Sequence, residues 1–183
     1  MKRNGRRGST MLEFVLAGIF VLVPLTLGAT TVGMTLARSI HVFEFNRNAG
    51  RLFSRGVDFS QPSNRALLLR LANGLNIADQ GGDGVVILTG VLCTPTGQAV
   101  ATRRYVIGNA SLRSSSYANP TKIDENGTVD YEHDGGANLN SLLTALPMSP
   151  GETAYLVETY YSSAEYDWAG FLQGKGIYTM GVF

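Results

Sequence analysis

The chain has 183 residues, a formal net charge of +1 and 44% apolar residues. That is enough for one modest domain with an anchor, and too close to neutral to argue as a whole for nucleic acid or a strongly charged substrate. The single cysteine, Cys93, excludes an intrachain disulfide and a thiolate zinc cluster.

The near-neutral average hides an asymmetry at the start. Lys2, Arg3, Arg6 and Arg7 crowd the first eight residues without an acid among them. Residues 14–37 then run as FVLAGIFVLVPLTLGATTVGMTLA without one charge. At ~1.5 Å per residue this stretch reaches ~36 Å as a helix, enough to cross a bilayer core. It is longer than the apolar part of an ordinary secretory signal, and Leu27 stands where a cleavage site at Ala29 wants a small residue. The basic flank places residues 1–8 in the cytoplasm and residues from Arg38 onward across the membrane. Pro24 falls mid-span and removes a backbone donor, so a kink or a loosened turn is expected there. Ala29, Gly33 and Ala37 recur every fourth residue and line one face. Small residues at this spacing allow close helix–helix approach, although membrane helices are rich in Gly and Ala in any case.

Glu13 stands at the mouth of the apolar run. In a lone anchor it would snorkel at headgroup level; a carboxylate so near hydrocarbon otherwise has a partner or a task. The residues around it, RRGSTMLEF, place Gly8 after the basic cluster, then Ser9, and Glu13 as the fifth residue counted from Ser9, followed by Phe14 and the long helix. This pattern resembles the processing site of type IV prepilins. The whole stretch RRGSTMLEFVLAGIFVLVPL resembles the TadE-like subgroup of tight-adherence (Tad, Flp-type) systems, with NRNAGRLFSRG (residues 46–56) and ETAYLVETYYS (residues 152–162) as weaker companions.

The resemblance implies a leader, residues 1–8, that a prepilin peptidase cuts between Gly8 and Ser9. It implies an assembly helix over 9–37, a helical extension over 38–56 and an extracytoplasmic domain over 57–183. It also implies the partners: other Tad pilins and pilin-like subunits, the inner membrane and the Tad secretion machinery. Major Flp pilins have very short mature chains, so a domain of this size points to a minor, pilin-like component. In that setting cutting creates an ammonium at Ser9, and Glu13 of a neighbouring copy neutralises it. A misdocked copy would then bury an unpaired charge.

Beyond the span, residues 38–56 continue the helix, with Ile40, Phe43, Phe45, Leu52 and Phe53 in partial helical periodicity and Gly56 as a stop. A second helix is expected over 63–75, capped by Ser63 or Asn64, with Leu67, Leu68, Leu71 and Leu75 as its apolar face. Residues 78–84 (ADQGGDG) form a loop. Strands follow over 85–92 and 99–107, joined by the turn chemistry of TPTGQ. Residues 109–136 are mostly irregular with a turn at Asn126-Gly127, a short helix covers 139–146, and strands occupy 152–161 and 176–183. The expected class is α+β: a long N-terminal transmembrane helix and a C-terminal domain on a mainly antiparallel sheet of about four strands. Cys93, in the apolar run VVILTGVLC, is either buried or a source of an intermolecular disulfide.

Patterns for chemistry are weak. His41 and His133 belong to no metal-spacing motif, and DENGTVDYEHD (residues 124–134) lacks the order of a calcium loop. No phosphate-binding glycine pattern occurs, and Arg103-Arg104 is too short for a nucleic-acid patch. No cofactor, metal, nucleic-acid partner or catalytic residue is therefore expected. Tyr155, Tyr160, Tyr161, Tyr166, Trp168 and Phe171 are dense late aromatics that serve either a core or an interface; Tyr166 and Trp168, in an expected loop, are the partner-facing candidates. Two functional readings stand: a structural subunit of an adhesive pilus, and an uncleaved membrane-anchored binding module. No feature favours an anchored enzyme.

Overall fold

The computed structural model describes residues 6–162 and 176–183, with side chains from Met11. The chain divides into two compact units, Met1–Ile40 and His41–Phe183. The expected architecture is present: a long N-terminal helix and a four-stranded antiparallel sheet.

Helix α1 (Arg6–Ser54) runs through both units and continues unbroken across Pro24. It ends where Gly56 adopts φ 82°, the left-handed conformation that glycine takes without steric penalty. Within the second unit its core face is Val42, Phe45, Ala49 and Phe53, all at most 2% exposed. These positions follow the i, i+3, i+7, i+11 spacing of one helical face. Ile40 and Phe43, expected on that face, are exposed instead. The face that touches the sheet is set one step away, by the run from Val42.

Helix α2 (Pro62–Leu71) is shorter than expected and is capped differently. Gln61 is the N-cap, without a side-chain bond, and Pro62 occupies the first turn, where its missing N–H costs nothing. Leu68 is buried, and Ala72 and Leu75 in the following turn continue its face, whereas Leu67 and Leu71 are 44% and 43% exposed. The four leucines expected on one face thus divide between two.

Strands β1 (Gly84–Cys93), β2 (Ala99–Gly108), β3 (Thr153–Tyr161) and β4 (Ile177–Val182) form the sheet in the order β2-β1-β3-β4. β1 pairs with β2 from Val85↔Gly108 to Cys93↔Ala99, with an irregularity at Gly90/Val91, and with β3 from Gly84↔Tyr161 to Leu92↔Thr153. As the central hydrophobic strand it is buried on both faces, which removes the alternation of a half-exposed strand. Cys93 is buried at its end.

One sheet face packs Val86, Leu88, Tyr105, Ile107, Val157 and Tyr161 against α1 and α2. Phe53 lies at the centre of an aromatic cluster, with centroids 6.1 Å from Phe59, 5.9 Å from Tyr105 and 5.0 Å from Tyr155. Asn46, 2% exposed, is the one polar residue of the helix face. Its Nδ2 donates to Thr159 Oγ1 (2.8 Å) and Val157 O (3.3 Å), and its Oδ1 accepts from Gly181 N (3.3 Å). A helix slipped by one residue would leave these groups buried without partners. Gly50 leaves room for the ring of Phe183, which a Cβ there would meet at 1.9 Å.

The opposite face is covered by the excursion over residues 109–139 and by α3 (Asn140–Ala145), with Ala118, Val129, Ala137, Leu139 and Leu142 packed on Val91, Ala99, Ala101 and Leu156. A buried carboxylate fastens this excursion. Glu158, 1% exposed, accepts from Ser115 Oγ, Ser116 N (2.9 Å) and Tyr178 Oη (2.7 Å). Arg104 is buried nearby and donates to Ala118 O. Burial pulls its guanidinium down, and the charge of Glu158 opposes that shift.

Candidate functional site

The candidate site is the N-terminal part of α1. Gly8 and Ser9 are in its first turns and Glu13 follows one turn later. Glu13 is exposed, and Phe14 is 81% exposed. Through residues 11–27 every side chain is exposed, including Ile19, Phe20, Leu22 and Leu25. A helical stretch that is apolar on all sides, and exposed among the described residues, suits an apolar medium. The stretch from Met11 onward is long and apolar enough to cross a membrane, with a peak mean hydropathy of 2.2.

The hydroxyls of this helix fit that medium. Thr26 Oγ1 donates to Val23 O (2.9 Å), Thr30 Oγ1 to Thr26 O (2.8 Å) and Thr31 Oγ1 to Leu27 O (2.8 Å). Thr35 Oγ1 donates to Thr31 O (2.9 Å) and Ser39 Oγ to Thr35 O (2.9 Å). Each O–H is thereby turned inward onto the helix's own carbonyls, leaving methyls and methylenes outward. The sequence signal for this feature is the i, i+4 spacing of Thr26/Thr30 and Thr31/Thr35/Ser39, beside the small-residue stripe.

Ala29, Gly33 and Ala37 are exposed and lie at helical i, i+4 spacing. A Cβ on Gly33 would meet nothing within 4 Å, so nothing in the chain's own packing requires glycine there. Pro24 lies inside the continuous helix; the carbonyl four residues earlier, that of Phe20, loses its backbone donor. Tyr166 and Trp168 lie outside the described residues.

Among the described residues, the acidic clusters are held by structural bonds. The acid-rich loop is folded by its own carboxylates. Asp124 Oδ1 accepts from Asn126 N (2.9 Å) and Thr128 N (2.6 Å). Asp134 Oδ2 accepts from Lys122 N (2.7 Å), and its Oδ1 from Gly136 N (2.9 Å). The Lys122 amide, with those of Gly136 and Thr121, holds the Asp134 carboxyl below the usual value. Among the described residues no group of three or more His, Cys, Asp or Glu is placed to hold a metal ion. A cleft of about 190 Å³ is lined by Arg65, Tyr105, Asp124 and Glu125. The Tyr105 O–H is shared between Asp58 Oδ1 (3.0 Å) and Asn126 O (2.9 Å), and Arg65 lies 3.6 Å from Asp79 while its buried Nε has no hydrogen-bond partner. Burial first, and then Asp58, push the Tyr105 phenol up to about 12.

No family model matches the chain, and neither does any curated protein or solved structure.

Proposed function

We propose that the chain is a pilin-like structural or assembly subunit of a Tad-type pilus, cut by a prepilin peptidase between Gly8 and Ser9 and held in the inner membrane by α1. The observation that carries the reading is the pairing of the Gly8–Ser9…Glu13–Phe14 pattern with a helix that leaves its apolar side chains exposed over residues 11–27 and folds its hydroxyls inward. A lone anchor needs the apolar helix. It does not need a glycine after four basic residues and a carboxylate at the fifth position beyond it. In a bundle of such helices the ammonium left on Ser9 and the Glu13 carboxylate of the next copy neutralise each other. The pair thus sets register, because a carboxylate without its partner is costly near hydrocarbon. The domain would face away from the cytoplasm, following the basic flank, and present the surface used in adhesion or assembly.

The test is co-expression with a prepilin peptidase. The wild-type chain is shortened by the first eight residues and Gly8→Val stays full length. Glu13→Ala is still inserted and loses incorporation into fibres. Incorporation of Glu13→Ala at the wild-type level would reduce Glu13 to a headgroup-level residue, and an uncut wild-type chain would leave a membrane-anchored binding module as the reading.

A further inference from the structure

Strand β2 is an edge of the sheet, and its outward backbone is covered on both sides of one bare residue. Outward-pointing positions alternate along an antiparallel strand. Arg104 N donates to Gly127 O (2.7 Å) and Gly108 N to Asp79 O (3.2 Å), so Val106, between them and opposite Ile87, also points its N–H and C=O outward. Among the described residues nothing bonds them. The stretch from Arg104 to Gly108 is about 13 Å long, and the chain's own backbone stops it at both ends. The cleft of about 190 Å³ opens onto this gap. Its ends carry opposite charge: Arg65 stands at the Gly108 end beside Asp79, and Asp124 and Glu125 at the Arg104 end beside Gly127. Arg104 itself lends only backbone, since its guanidinium donates to Ala118 O. The walls are fixed in advance. Tyr105 Oη ties Asp58 to Asn126, and Asp124 Oδ1 closes its turn onto the amides of Asn126 and Thr128.

Arg65 is short of acceptors. Its Nε is buried with no partner and its Nη1 stands 3.6 Å from Asp79, while the side chain keeps 32% exposure and is reachable from the cleft. A carboxylate arriving there lets the fork turn and supplies the acceptor it lacks. We infer that the cleft binds a free dipeptide or a peptide of similar size, lying parallel to β2, with its carboxylate on Arg65, its ammonium toward Asp124 and Glu125 and its amide groups bridging the Val106 N–H and C=O. Three features select this ligand. A bare strand edge is read by main-chain amides. Opposite charges at the two ends of the ligand match Arg65 and the two acids. The stops at Gly127 and Asp79, with a volume below the ~300–1,000 Å³ of sites for drug-sized ligands, exclude a strand that continues past either end. Val106 and Ile123, 39% and 40% exposed, offer apolar contact to a small side chain. Only the unit His41–Phe183 is involved, so the inference stands whether or not the chain is a pilin subunit.

The test titrates the full-length, isotope-labelled chain in detergent with alanyl-alanine and follows its N–H groups by NMR. Saturable shifts are expected at the Val106 and Gly127 amides and at Arg65 Nε–H, with Val106 moving most. Alanyl-alaninamide, which lacks the carboxylate, should bind roughly tenfold more weakly, and so should alanyl-alanine to Arg65→Gln. N-acetyl-alanyl-alanine, which lacks the ammonium, should lose a few-fold, as should alanyl-alanine with Glu125→Gln. The capped peptides probe both ends on the wild-type protein, so the result does not depend on how either variant folds. Absence of a saturable shift at Val106 overturns the inference. So does equal binding of alanyl-alanine and alanyl-alaninamide. Sodium acetate producing the same shifts at the same concentrations also overturns it, by reducing the cleft to a simple anion site.

Discussion

One helix, α1, passes through two different environments. From Met11 to Ile40 its apolar side chains are exposed, and the hydroxyls from Thr26 to Ser39 bond its own carbonyls. From His41 to Ser54 the same helix buries one narrow face, Val42, Phe45, Ala49 and Phe53, against a sheet, and its single polar core residue, Asn46, finds partners on β3 and β4. Identical backbone geometry thus carries two different surfaces, one apolar and exposed all round and one with a single buried face. The first part needs only to be apolar all round, and the second needs specific residues at specific positions. Substitutions should therefore be felt locally and in different currencies, insertion for the first part and domain stability for the second.

Phenylalanine truncation separates the two most sharply. Phe45→Ala removes a ring that is 2% exposed and should destabilise the domain by about 3–5 kcal/mol, read as a lowered urea midpoint of the detergent-solubilised chain. Phe14→Ala, at a position 81% exposed, should leave that midpoint unchanged. Equal losses at both would erase the distinction.

The two carboxylates sharpen the comparison. Glu158 has its donors within its own fold. Glu158→Ala should cost on the order of 3–5 kcal/mol, because it frees those donors and leaves the buried charge of Arg104 uncompensated. Glu13→Ala should leave the domain's urea midpoint in the detergent-solubilised chain unchanged. A comparable midpoint shift for Glu13→Ala would show that the helix start contributes to domain stability.

Leu22→Arg should oppose insertion by roughly 2.5–3.5 kcal/mol while the domain's midpoint stays in place, as judged by membrane fractionation and denaturation of the same sample.

The smallest effect is a pH dependence confined to the second unit. The Asp134 carboxyl is held low by the Lys122 amide above all. Its contribution is therefore complete above the ordinary carboxyl value of 3.8 and lost as pH falls through the lower folded value. Asp58 and Asp130 shift in the same direction, through Ser60 and His133 respectively. Asp134→Asn should flatten the acid limb of the stability curve below about pH 4; an unchanged limb would place the acid sensitivity elsewhere.

The long apolar helix, the four strands and the stop at Gly56 were legible because each rests on a local signal: a charge-free run, short apolar segments between turn residues, and a glycine where positive φ is needed. The helix faces were not. In the run ALLLRLANGL, leucines at 67, 68, 69 and 71 surround the helix, so periodicity alone cannot choose a face. The choice falls to Leu68 because Ala72 and Leu75 continue its line into the core. Along α1, Phe43 and Phe45 are equally apolar, and only the sheet beneath decides between them. The cap at Gln61 had a readable signal in Pro62, which outranked the more familiar Ser63 and Asn64. Burial of Glu158 is invisible in sequence, since its donors lie on a distant excursion and on β4. Of the candidate site, the sequence shows residue types and spacing along one helix, and the inward hydroxyls are equally local in their i, i+4 spacing.

The most direct measurement is the intact mass of the protein taken from its native membrane, beside a second substrate of the same peptidase. The account predicts a chain that begins at Ser9, with Glu13 as its fifth residue. A chain that still begins at Met1, while the companion substrate is trimmed, would contradict it.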